Sequence, residues 1–70
     1  MERRKLSSSQ IRSVGYDAAS QTLEVELSSG AIYQYTRVSA ELHRRFLAAP
    51  SPGSWFRDNI EESFTGRRIR

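Results

Sequence analysis

The sequence predicts an α+β domain: a three-stranded antiparallel β-meander followed by two helices packed on one face of the sheet. Three observations carry that prediction. Apolar residues alternate strictly between Leu23 and Leu27. A second alternating run, Ala31 to Thr36, follows a glycine-containing turn. From Ser39 onward the apolar spacing changes to that of a helix.

The first strand is read around Val14 and Tyr16, which are two apart and end at the turn Asp17-Ala18-Ala19-Ser20-Gln21. Ile11 is out of step with that pair, so the strand either starts late or bulges at Gly15. In the second strand Leu23, Val25 and Leu27 share one face and Glu24 and Glu26 the other, as expected of a sheet wet on one side only. Ser28-Ser29-Gly30 reads as a tight hairpin in which Gly30 supplies a positive φ. The third strand sets Ala31, Tyr33 and Tyr35 against Ile32, Gln34 and Thr36. If the tyrosines share the face of Leu23, Val25 and Leu27, their rings are core; if Ile32 does, they face water.

The sheet needs a cover, and the second half supplies it. Ser39 is placed as an N-cap, with Glu41 at the positive end of the helix dipole. Leu42, Phe46 and Ala49 form the apolar stripe, His43, Arg44 and Arg45 fall off it, and Pro50 ends the helix. After the turn Ser51-Pro52-Gly53-Ser54, a short second helix runs through Trp55, Phe56, Asn59 and Ile60. Two adjacent aromatics cannot both point inward from a regular helix, so either one of Trp55 and Phe56 is expected to remain partly exposed or both flank the sheet edge.

Seventy residues make one domain. The expected division is a flexible basic tail over residues 1–8, the domain over 9–64, and a second basic tail over 65–70. The net charge is +3, from 11 basic and 8 acidic residues, and Arg3, Arg4, Lys5, Arg67, Arg68 and Arg70 lie in those tails. There is no cysteine to form a disulfide or a thiolate metal site. No apolar run approaches a membrane span and nothing resembles a signal peptide, so a cytoplasmic protein without membrane contact is expected.

The chemistry inventory argues against an enzyme. His43 is the lone histidine, the carboxylates follow from strand alternation or surface placement, and the four glycines are too scattered to cradle a phosphate. No catalytic residue, metal or cofactor is expected.

Taken in order, Ser9, Gly15-Tyr16-Asp17, Leu23, Val25, Leu27, Gly30, Tyr33-Gln34-Tyr35, Val38, Ala49, Ser51, Gly53, Trp55-Phe56, Asn59 and Ile60 resemble the KTSC domain family. That family is known from the C-terminus of some lysyl-tRNA synthetases and from stand-alone bacterial proteins. The resemblance covers residues 7–64 and departs at Ser39, where members often carry proline. It implies the sheet-then-helices layout, no enzyme activity, and an unsettled role for which RNA binding has been proposed.

Nucleic-acid contact is therefore the leading expectation, with RNA or another single strand as partner. The candidate residues are Arg12, Arg37, Arg44, Arg45 and Arg57 for phosphates and Tyr33, Tyr35 and Trp55 for stacking. Against stacking stands the scarcity of large apolar residues, which favours Tyr33 and Tyr35 as core. The alternative is a protein–protein interaction module using a sheet edge or a helix face.

Overall fold

The computed structural model describes residues 3–6 and 8–70. Its elements in chain order are β1 (Arg3–Lys5), β2 (Ile11–Asp17), β3 (Thr22–Leu27), β4 (Ile32–Tyr35), α1 (Ala40–Ala48), α2 (Pro52–Phe56), a π-helical turn (Arg57–Glu61) and β5 (Gly66–Arg68). The strands form one antiparallel sheet in the order β1-β2-β3-β4-β5.

The α+β class and the central meander agree with the sequence, but the sheet has five strands, not three. The two additional strands lie within 1–8 and 65–70, the stretches read as tails. Each is only three residues long, basic and exposed, so it carries no buried apolar residue for alternation to reveal. Pairing with β2 and β4 defines these strands, and such pairing is non-local.

The register sorts the side chains into rows. On the covered face Arg4, Val14, Val25, Tyr33 and Arg68 lie side by side across all five strands. The next row holds Tyr16, Leu23, Tyr35 and Gly66. The tyrosines therefore share the face of Leu23 and Val25, as their core reading requires. The open face carries Arg3, Gly15, Glu24, Gln34 and Arg67 in one row. A bulge does occur in β2, but between Ile11 and Ser13 rather than at Gly15. The extra residue, Arg12, restores Ile11 to the covered face, where it is buried opposite Leu27.

The hairpin after β3 places Gly30 at φ 96°, as its turn role demands. Gln21 and Arg37 also adopt left-handed backbone, at φ 55° and 63°. They flank a clamp in which the Val38 amide donates to the Gln21 carbonyl at 2.9 Å. The Tyr16 hydroxyl donates to the Val38 carbonyl at 2.5 Å, tying β2 to the link that leads into α1.

Ser39 caps α1, its hydroxyl accepting from the Leu42 amide at 3.2 Å, and Pro50 follows the C-cap Ala49. Phe46, fully buried, is the keystone of the cover. It stacks on Trp55 with centroids 5.3 Å apart and on Phe56 at 5.8 Å, and Phe56 meets Tyr35 edge-on at 5.5 Å. Adjacent helix positions point about 100° apart. Phe56 is accordingly buried while Trp55 is only half-buried.

Candidate functional site

Two grooves flank the helical cover: one is lined by basic residues without a carboxylate, the other by Glu61 with Arg57 in one of its parts. The first runs between β1 and α1. Its upper part, a cavity of about 350 Å³, is lined by Arg3, Arg4, Val14, Tyr16 and His43. Arg4 also lines the lower part, about 280 Å³, with Lys5, Leu6, Leu47 and three residues around the α1–α2 turn, Ala49, Pro50 and Pro52. None of the lining residues is acidic.

The local sequence explains this arrangement. Arg4 pairs with Val14 in register, so its side chain lies on the covered face at the sheet edge, beside α1. His43 and Leu47 are one turn apart on α1 and line the same groove. The His43 imidazole stacks on Tyr16 with centroids 4.5 Å apart and planes 13° from parallel. Burial holds its pKa below the ordinary 6.5, and the nearby Arg4 charge adds to that effect.

The second groove runs under α2 and the π turn. Leu27, Phe56 and Glu61 are shared by its two parts. One part, about 270 Å³, ends at Tyr33, Tyr35 and Gly66; the other, about 330 Å³, reaches Gln10, Ser28 and Arg57. A Cβ at Gly53 would meet only the tip of the exposed Gln10 side chain, which can turn aside.

Of the residues expected to contact nucleic acid, none lines the basic groove, and Arg44 is exposed on α1. Arg12 reaches across the open face to Glu26, at 3.6 Å, and donates to the Ser28 carbonyl at 3.1 Å. Arg45 pairs along its helix with Glu41, at 3.4 Å. Arg57 lies beside Asp58 and lines the other groove, and Arg37 is exposed in the β4–α1 link. Tyr35 is only 4% exposed and offers no free ring face, while the half-buried Trp55 has one face packed on Phe46 and lines neither basic cavity. Tyr33, half-buried, lines the second groove.

Sequence reasoning missed Arg4, Lys5, Tyr16 and His43 as partners in one groove. The signal was faint: His43 and Leu47 share a side of the helix beside the core stripe, and nothing local announced that residues 3–5 would pair with β2. Among the described residues no group of three or more histidine, aspartate or glutamate side chains is placed to hold a metal ion. No helix among them is long and apolar enough to cross a membrane.

This geometry defines a small α+β module: one meandering sheet, one two-helix cover, and grooves along both flanks of that cover. The chain belongs to the KTSC domain family, whose model matches residues 7–64. It is similar over 99% of its length to the crystal structure of a KTSC domain protein from Yersinia pestis, with a TM-score of 0.94, 36% identity and 97% of that chain covered. An uncharacterized protein from Stutzerimonas stutzeri (strain A1501) is 50% identical over 56 residues, which span 80% of this chain and 79% of the relative.

Proposed function

We propose that this protein is a non-catalytic module that binds single-stranded nucleic acid, RNA in the first instance, in the groove between β1 and α1. The observation that supports this reading is a pair of adjoining cavities lined by Arg3, Arg4, Lys5 and His43 and by no carboxylate. A polyanion gains at every neutralised phosphate and meets no repulsion from the walls. Arg4 and Lys5 would hold successive phosphates, while Tyr16, already stacked on His43, gives an aromatic wall for a base. In this reading Arg12, Arg45, Arg57, Tyr35 and Trp55 serve the fold or other surfaces.

The alternative, a protein-interaction module that adds a partner strand at a sheet edge, has less support. Both edge strands are three residues long and carry two or three basic side chains, a pattern that discourages strand addition.

Fluorescence polarisation of a labelled single-stranded RNA at two salt concentrations tests the proposal. Binding should weaken with salt, with a log–log slope of roughly −0.7 for each phosphate held. The double variant Arg4→Glu, Lys5→Glu should weaken it further while circular dichroism stays that of the parent. Absence of binding at low salt, or equal binding by the double variant, would defeat the assignment.

A further inference from the structure

We propose that the second groove takes a primary alkylammonium group, which makes it a cation site independent of the nucleic-acid reading. Its cavity of about 270 Å³ brings together three aromatic rings, Tyr33, Tyr35 and Phe56, with the Glu61 carboxylate. Tyr35 and Phe56 meet at 77° and make a corner, while Leu27 contributes an apolar surface suited to an alkyl stem.

The composition selects the ligand. Aromatic π systems and a carboxylate both attract a cation, and both repel a phosphate or carboxylate ligand. An ammonium group carries three N–H donors, and three of the lining residues, Glu61, Tyr33 and Tyr35, carry acceptor oxygens. No buried side-chain polar atom among the described residues lacks a hydrogen-bond partner, so an ammonium is not needed to complete the fold and the site is optional. The Glu61 charge reaches the tyrosines: after burial, it is the next cause holding the Tyr35 hydroxyl above its ordinary pKa.

Neighbouring guanidinium groups do not line this cavity. Arg68, opposite Tyr33 in register, turns back to donate from Nε to the Arg70 carbonyl at 3.0 Å. Arg57 lines only the adjoining part of the groove and lies 3.6 Å from Asp58. Glu61 is exposed, so the attraction is screened and binding is expected at millimolar concentrations.

The test is an amide NMR titration at constant ionic strength with n-butylammonium, with n-butanol as the neutral isostere. Saturable shifts at Leu27, Tyr33, Glu61 and Gly66 are expected with the amine and not with the alcohol. Glu61→Gln should weaken the amine at least about fivefold, as removal of an attractive charge implies, while leaving RNA affinity unchanged or higher. Tyr33→Leu, which keeps Glu61, should also weaken it. Nα-acetyl-lysine methylamide extends the series: tighter binding than butylammonium assigns the site to a lysine side chain of a partner, equal binding to a free amine. Equal shifts from butanol, or amine shifts that survive Glu61→Gln, would overturn the proposal whatever the outcome for RNA.

Discussion

The Arg3 guanidinium crosses the bare backbone of Gly15 to bind the Glu24 carboxylate. Arg3, Gly15 and Glu24 are successive partners in one row of the open face, and the missing side chain at Gly15 leaves the path between strands free. Glu24 is 8% exposed and also accepts from Gln34 Nε2 at 3.0 Å. Arg3 comes within 3.6 Å of Glu26 as well, and Ser13 donates to that carboxylate at 2.9 Å. The edge strand β1 is thus held by charge where it has no apolar residue to bury.

Arg3→Ala should release β1. Glu24 would keep its burial and lose its cation, a loss of about 1–3 kcal/mol by the usual cost of stripping a charged group of its partner. Urea denaturation should report a lower midpoint, and amide exchange should show lost protection in β1 and along its pairing with β2. Unchanged exchange at the Arg4 and Val14 amides would show that β1 is held by its backbone alone.

That network explains where the sequence was legible and where it was not. The alternation of Leu23, Val25 and Leu27, the Ser39 cap and the Phe46 stripe are local patterns that appear in the structure, but Glu24, read on the wet face, is buried beneath the Arg3 and Gln34 side chains. The face of Tyr33 and Tyr35 stayed open because parity is relative. Only pairing to β3 decided it, by setting Tyr33 opposite Val25 and Tyr35 opposite Leu23. The edge strands, and with them the basic groove, depend on contacts between distant residues such as Arg3 and Glu24. Three charged residues in a row look the same in a tail and in a salt-bridged strand.

Gly66 should resist substitution. A Cβ at that position would stand 2.6 Å from Tyr35 Cε2, and the ring is wedged against Phe56 and cannot yield. Gly66→Ala should displace β5 and destabilise the fold by about 1–3 kcal/mol, the usual range for overpacking. Loss of exchange protection in β5 and at Tyr33, with α1 unaffected, would identify the cause. Full protection in β5 would show that the Tyr35 ring moves after all.

Tyr35 should set an alkaline limit. Burial, with the charges of Glu61 and then Tyr33, raises its pKa from 10.0 to about 12. The unfolded chain therefore gives up this proton first. The stability contributed by the neutral phenol is complete below pH 10.0 and is lost as pH rises toward about 12. Tyr35→Phe should flatten that part of the stability–pH curve, measured by urea midpoints from neutral to alkaline pH, because phenylalanine has no proton to lose. An unaltered alkaline slope in the variant would assign the loss to other groups.

His43 should couple RNA binding to acid. The groups lining its cavity are Arg3 and Arg4 from β1 and Tyr16 from β2, with Arg44 next to it on α1 and no carboxylate in the lining. With its pKa held below 6.5, the folded protein takes up this proton later than the unfolded chain does. As pH falls through 6.5 the free protein loses stability, and above 6.5 the neutral imidazole carries no such penalty. A bound phosphate reverses the balance: it offsets the Arg4 charge and favours the imidazolium, so binding draws in a proton. RNA affinity should therefore rise between about pH 7 and pH 5.5, the range in which histidine titrates. His43→Gln should flatten that rise and also remove the acid loss of stability in the free protein. The check is polarisation titration across this range at fixed ionic strength, paired with urea midpoints on the same samples. A wild-type affinity that ignores pH, or a rise that persists in His43→Gln, would place the phosphates away from this histidine.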